Sequence, residues 1–220
     1  MELTASALAN TLRAQARPGE VVHKHYPGTG EVLGVPMRNT FDTTKTFTTL
    51  PLPEVAKLMD EPAYELRLAA FCVLDFKARS KKTTAADRQA AYDLYLARHN
   101  AIDSWDMVDR AAPHVIGLHL LTRDRTPLFD LARTADPLRR RTAITAPLYF
   151  ARYGTPADLT DLYALAELLL DDKNPVVSKP VGIALKYAGI LDEPSLRTFL
   201  RTHEPAMQKA TLRYAREKLA

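Results

Sequence analysis

Residues 138–150, LRRRTAITAPLYF, set a basic side chain directly before a run of small and apolar residues. The arrangement returns in YELRLAAFCVLDF at 64–76, PVVSKPVGIALKY at 175–187 and PAMQKATLRYA at 205–215, which puts Arg67, Arg141, Lys179 and Lys209 in corresponding places. Recurrence at roughly 30–40 residues is the period of stacked helix pairs of the HEAT or armadillo type. The expected fold is therefore all-α, a HEAT-like α-α superhelix (solenoid) with a basic concave face. On that face the recurring cations could follow a phosphate backbone. Taken singly, each cation reads as the solvated end of an amphipathic helix. Their recurrence in register is what argues for a shared face.

The rest of the chain agrees with a helical reading. From about residue 53 onward apolar residues recur at three and four, and alternation with a period of two is nearly absent. The pattern predicts helices over about 3–16, 53–60, 62–80, 84–100, 104–122, 126–134, 137–153, 156–171, 174–188, 193–203 and 205–219. Pro62, Pro137, Pro175, Pro194 and Pro205 stand at or just before helix starts, where a missing N–H costs little. The segment 18–52 departs from this pattern; its Gly, Pro and Thr content predicts turns and short irregular pieces that shape an entrance or cover one helix pair. Its GTGEVLG at 28–34 lacks the Gly-Lys-Ser/Thr ending of a phosphate loop.

Composition narrows the function classes. With 220 residues and 46% hydrophobic content, the chain can bury a core as a single domain, 1–220. A net charge of +4 permits a polyanionic partner without demanding one. The single cysteine, Cys72, lies in the apolar LAAFCVLDF and reads as a core filler, since alone it makes neither an intrachain disulfide nor a Cys-rich zinc site. MELTASALANTL lacks the pattern of a signal peptide, and no stretch approaches the roughly 18 apolar residues of a membrane span. A soluble, cytoplasmic monomer without a membrane partner is expected. His23 and His25 in HKH read as exposed loop histidines without a companion cluster, and His114 and His119 stand five apart, a poor spacing for a helical zinc pair. With no Gly-x-Ser-x-Gly motif either, neither a metal nor a cofactor is expected.

One stretch carries chemistry. In NAIDSWDMVDRAAP, 100–113, Trp105 and Asp109 stand four apart in a predicted helix, so indole and carboxylate share a face. Asp103 or Ser104 suits the helix cap, and Asp106 suits its positive N-terminal dipole, a structural role. Trp105 falls on an apolar stripe with Val108, Ala112, Val115 and Ile116, which favours a core side chain. Asp109 strains that reading, because a buried carboxylate needs a partner and otherwise faces a cation or an open cleft. Arg110 points away from it, and the RRR run at 139–141 offers a partner.

SWDMVDRAAP resembles the Trp-Asp-x-Val-Asp segment of the AlkD-type DNA alkylation repair glycosylases, which are HEAT-like solenoids. LRRRTAI at 138–144 resembles the inner helix that carries their functional arginine, and VLGVPMRNTF at 32–41 resembles the Gly-Val-Pro entry after their N-terminal helices. The resemblance covers most of the chain. It implies hydrolysis of the N-glycosidic bond of cationic N3- or N7-alkylated purines in double-stranded DNA, without base flipping, metal or cofactor. Trp105 and Asp109 become the catalytic pair. Arg141 becomes the DNA-contacting arginine, and the basic repeat adds Lys179 and Lys209, with Arg140 beside Arg141, as expected DNA contacts. The lesion cleft would be walled by Ile183, which stands where the family has a second tryptophan, and by Tyr187 one helical turn later. Isoleucine offers no π face, so two other readings remain open: a non-catalytic binder of distorted or branched DNA, and a HEAT-like protein-interaction scaffold.

Overall fold

A computed structural model of the chain describes residues 2–219. Its helices are α1 (Ala5–Arg13), α2 (Met37–Thr46), α3 (Leu52–Met59), α4 (Tyr64–Arg79), α5 (Ala85–Ala97), α6 (Trp105–Ala112), α7 (Leu118–Leu120), α8 (Thr126–Ala132), α9 (Pro137–Thr145), α10 (Leu148–Tyr153), α11 (Leu159–Leu168), α12 (Pro175–Leu191), α13 (Glu193–His203) and α14 (Lys209–Arg216). Among the described residues, extended backbone pairs only at an isolated bridge between Glu31 and Ala63, so the protein is all-α. No helix among them is long and apolar enough to cross a membrane. The chain divides into two compact units, Met1–Ala111 and Ala112–Ala220.

The first unit is built around α4. Every side chain from Tyr64 to Asp75 is buried, as a helix apolar on nearly all sides requires, and α2, α3 and α5 pack against it. Cys72 lies in this core, and burial pushes its thiol up to about 12. Three charged residues in the same buried stretch need partners. Glu65 accepts the backbone N–H groups of Leu33 (2.9 Å), Gly34 (2.8 Å) and Val35 (3.2 Å) and also contacts His23 Nε2 at 3.1 Å. Asp75 pairs with Arg110 at 2.9 Å. Arg67 donates to the carbonyls of Glu61 and Pro62, each at 2.7 Å, and to Asp103 at 2.5 Å.

The segment expected to be irregular contains a helix. The threonine-rich MRNTFDTTKT forms α2 despite low intrinsic propensity, because its face carrying Thr40 and Thr44 is buried and α2 packs on α4. Buried Thr44 returns its hydroxyl to the carbonyls of Thr40 and Phe41, so no polar atom is stranded there. The helix predicted over 104–122 is interrupted instead by a π-helical turn, Pro113–Gly117, and that over 137–153 breaks between α9 and α10 at Ala146 and Pro147. Proline supplies no N–H to the preceding turn, which is the local reason in both places.

The second unit is organised by α12, which packs against α9, α10, α11, α13 and α14. Its interior Pro180 leaves the carbonyl of Val176, four residues earlier, without its helical donor. Arg141 on α9 fills that vacancy, with Nη1 donating to Val176 O at 2.6 Å. On another side, α12 approaches α14 so closely that a Cβ on Gly182 would lie 2.4 Å from Thr211 O. The Thr211 hydroxyl donates to Ser178 O at 2.9 Å across the same contact.

These bonds alter the register of the basic repeat. Arg140 donates to the carbonyls of Thr134 and Ala135, six and five residues before it, just as Arg67 bonds residues six and five before it. Arg140 Nε also pairs with Asp172 at 2.7 Å, as Arg67 pairs with Asp103. The side chain that repeats Arg67 is thus Arg140, one residue before the aligned Arg141. Both arginines tie the entry of their own helix to the residues leading into a later one. Arg67 is buried, so it adds nothing to a solvent-facing ladder, whereas Lys179 and Lys209 are exposed.

Gly182→Ala separates propensity from packing. Helix propensity alone predicts a gain of up to about 1 kcal/mol. The approach of Thr211 predicts a net loss of about 1–3 kcal/mol, read as a lower midpoint in urea denaturation.

Candidate functional site

The residues flanking α6 show how Trp105 is held. Tyr26 OH donates to Asp103 Oδ2 at 2.7 Å, and Arg67 Nη2 donates to the same carboxylate oxygen and, at 3.0 Å, to Tyr26 OH. Asp103 is therefore consumed by long-range partners, and Ser104 Oγ is buried without a hydrogen bond, so neither side chain caps α6 in the simple way its position suggested. Asp106 does have a structural role. Its Oδ2 accepts from the Tyr64 hydroxyl and lies 3.3 Å from His25 Nε2. Burial, then the neighbouring Asp106 carboxylate, drives the Tyr64 hydroxyl well above the usual phenol range.

The two histidines expected to be exposed are not. His23 lies against buried Glu65, with its side chain 6% exposed. His25 contacts Tyr64 OH at 3.0 Å and sets its ring 5.3 Å from the Trp105 ring, tilted by 59°. The 18–35 segment thus furnishes the surroundings of Trp105, and it is fastened there by the Glu65 carboxylate. Gly34 makes the turn possible, since its φ of +78° favours glycine and a Cβ would meet Arg17 O at 2.4 Å.

Trp105 itself is half-buried rather than a core side chain. The core stripe of α6 is Met107, Val108, Ala111 and Ala112, all fully buried. Four residues advance a helix by one turn and about 40°, so Trp105 and Asp109 sit together at the margin of that stripe. Asp109 is exposed. Arg110, expected to point away, turns to buried Asp75, with its guanidinium 4.8 Å from the Phe41 ring centroid and 4.5 Å from that of Phe76. The indole and the carboxylate therefore share one edge of a helix whose opposite face is anchored in the core.

The second unit holds the other predicted residues. Arg141 is 7% exposed and engaged with Val176 O, Arg140 is half-buried in its bond to Asp172, and Lys179 and Lys209 are exposed. Ile183 is half-buried on α12, and Tyr187 is 40% exposed one turn later. Near Tyr187 lies a cavity of about 170 Å³, lined also by His114, Tyr149, Arg152 and Tyr153. Among the described residues, no group of three or more His, Cys, Asp or Glu is placed to hold a metal ion.

The chain belongs to the family of DNA alkylation repair enzymes, whose family model matches residues 8–219. No curated protein matches it significantly. Its place is therefore among DNA repair proteins acting on alkylation damage.

Sequence reading missed His25 as the ring beside Trp105, and Tyr64 and Asp106 as the partners of His25. The local pattern gave no signal of it, since His25 and Trp105 are 80 positions apart and meet only through the folded 18–35 segment.

Trp105 is the only tryptophan, so intrinsic fluorescence reports this edge alone. His25→Ala removes a ring beside the indole and admits water, and the emission maximum should move to longer wavelength with the fold retained. An unchanged maximum would remove His25 from the wall around Trp105.

Proposed function

We propose that the protein is a DNA glycosylase that hydrolyses the N-glycosidic bond of cationic N3- or N7-alkylated purines in duplex DNA. The observation that carries this reading is the half-buried Trp105 and exposed Asp109 together on one edge of α6, in a chain of the DNA alkylation repair enzyme family. Alkylation places positive charge on the purine and makes it a good leaving group. What remains is to stabilise positive charge developing on the sugar and to deliver water to its anomeric carbon. The indole face attracts the cationic sugar. The Asp109 carboxylate stabilises it more strongly and orients or deprotonates the water, which adds to the anomeric carbon as the neutral base departs with the bonding electrons.

Tyr64, His25 and Asp106 are positioning residues in this reading, because the His25 ring packs beside the indole and Tyr64 and Asp106 hold that ring. Phosphate contacts fall to the exposed Lys179 and Lys209, with Arg141 acting from the place where its bond to Val176 holds it. Arg140 supports them by fixing the entries of α9 and α12 through Asp172. Ile183 keeps a second reading in view: with an aliphatic side chain where the resemblance has tryptophan, the protein binds damaged or distorted DNA without releasing a base.

Incubation of the purified protein with a 7-methylguanine duplex in EDTA, with free base measured by mass spectrometry, separates the two readings. Release above the spontaneous rate is expected. Tight binding with no release from 7-methylguanine, 3-methyladenine or a bulky adduct would leave the binding role alone. Asp109→Asn keeps the shape and removes the charge, so the single-turnover rate should fall about tenfold to a thousandfold with binding largely retained.

The two kinds of basic residue separate in a salt series. Lys179→Ala should reduce the log–log slope of duplex affinity against salt by about 0.9 without changing stability. Arg141→Ala should lower the thermal midpoint as well, because it strands the Val176 carbonyl. Equal slopes for both variants and the wild type, by fluorescence anisotropy, would remove these residues from the DNA contact.

A further inference from the structure

The cavity beside Tyr187 contains neither Trp105 nor Asp109 and is given no part in the chemistry above. It is walled by Tyr149 and Tyr153 on α10, Tyr187 on α12, and His114 on the π-helical turn. That turn is pressed onto the junction of α9 and α10 so tightly that a Cβ on Gly117 would lie 2.1 Å from Ala146 O and 2.8 Å from Tyr149 Cβ. The approach sets the His114 ring edge-on to Tyr149, with centroids 5.8 Å apart at 80°. Tyr149 in turn lies 4.6 Å from Tyr153, tilted by 40°.

Two of the tyrosines keep much of their surface in water, Tyr153 at 53% and Tyr187 at 40%. Exposed aromatic area around a concave slot is surface that a ligand gains by covering. The volume, about 170 Å³, suits a single planar ring, since a cavity of about 150 Å³ accepts benzene. Charge completes the pattern. Arg152 holds its guanidinium 5.5 Å from the Tyr153 ring centroid, so a cation stands at the rim of an aromatic slot. A ring with an anion attached is matched by that combination, and a nucleotide is such a ligand. Tyr187 also follows Ile183 by one turn on α12, which places the slot next to the residue that the resemblance puts at the wall of the lesion cleft.

We propose that this cavity is a subsite for one unpaired nucleobase of the bound DNA, stacked on Tyr153 and Tyr187 with its phosphate on Arg152. The proposal rests on the DNA-binding part of the function above and is independent of base release. Stacking on tyrosine is indifferent to base identity, because every base presents a π face. The slot therefore recognises that a nucleotide has left the helix, and the exposed lysines recognise the backbone.

The test compares two labelled duplexes of the same sequence, one fully paired and one with a single bulged 2-aminopurine, by anisotropy and by 2-aminopurine emission. The wild type should bind the bulged duplex about fivefold to a hundredfold more tightly, with the probe's emission changed on seating. Tyr153→Leu should bring the two affinities within about twofold while leaving the paired-duplex affinity unchanged, and Tyr153→Phe should keep the preference. Arg152→Gln should weaken the preference and reduce its salt dependence. Equal affinities for the two duplexes in the wild type, or a preference that survives Tyr153→Leu, would overturn the subsite alone. Failure to bind either duplex would overturn the DNA-binding reading and the subsite with it. A proline-rich peptide that displaces no DNA but binds in a Tyr153-dependent way would assign the slot to a protein partner instead.

Discussion

A charge taken out of water at the entry of a buried helix must be paired, and both units are assembled around that requirement. Glu65 and Arg67 are carried into the core by α4 because the rest of the helix is apolar on almost every side. Once there, Glu65 gathers the backbone of residues 33–35 and His23, and Arg67 gathers the carbonyls before α4 together with Asp103. Removing one partner of such a buried pair costs about 3–5 kcal/mol. The network is thus strong enough to dictate where the loop between α1 and α2 lies. That loop then supplies the ring beside Trp105, so the environment of the candidate catalytic edge follows from pairing charges elsewhere in the unit.

The second unit applies the same logic to a backbone defect. Pro180 gives α12 a carbonyl without a donor, and the Arg141 guanidinium supplies one from α9. An arginine suits this task because its planar fork can bond a carbonyl and still direct other N–H groups elsewhere. The cost is mobility, as a guanidinium committed to Val176 reaches a phosphate only from that fixed place. Arg140 is likewise committed to Thr134, Ala135 and Asp172. The net charge of +4 therefore overstates the uniformity of the basic residues. Several arginines are structural, and the cations available to a polyanion are the exposed ones, among them Lys179, Lys209 and Arg152.

Helix breaks shape the tyrosine-lined cavity of the second unit. The π-helical turn at Pro113–Gly117 and the interruption at Ala146 and Pro147 face one another at the approach of Gly117 to Ala146. Tyr149 and Tyr153 after that interruption, His114 on the π-helical turn and Tyr187 on α12 line the slot. Ile183 bears on the chemistry rather than the architecture. It packs half-buried on α12 as an aliphatic residue should, and the effect of its missing π face is decided by base release.

The all-α fold was legible in the sequence because the apolar period of a helix is a local property, repeated in every long segment from residue 53 onward. The edge carrying Trp105 and Asp109 was legible for the same reason, since four residues on a helix share a face wherever the helix is placed. Side-chain burial was legible only in part: Cys72 and the stripe residues Val108, Ala112, Val115 and Ile116 are buried as expected, and Trp105 is not. The stripe containing Trp105 pointed to a core residue, whereas the core of α6 centres on Met107, Val108 and Ala111, a displacement set by neighbours rather than by period. Nor could spacing tell Arg140 from Arg141, because both fit the repeat and only the partners, Asp172 and Val176, distinguish them. His25 beside Trp105, α2 formed from a threonine-rich stretch, and the Arg141 bond beneath Pro180 all depend on groups distant in the chain. The sequence alone determined periodicity and therefore helices. Tertiary structure decided which charges were buried, since pairing a buried charge is a long-range constraint that local pattern does not encode.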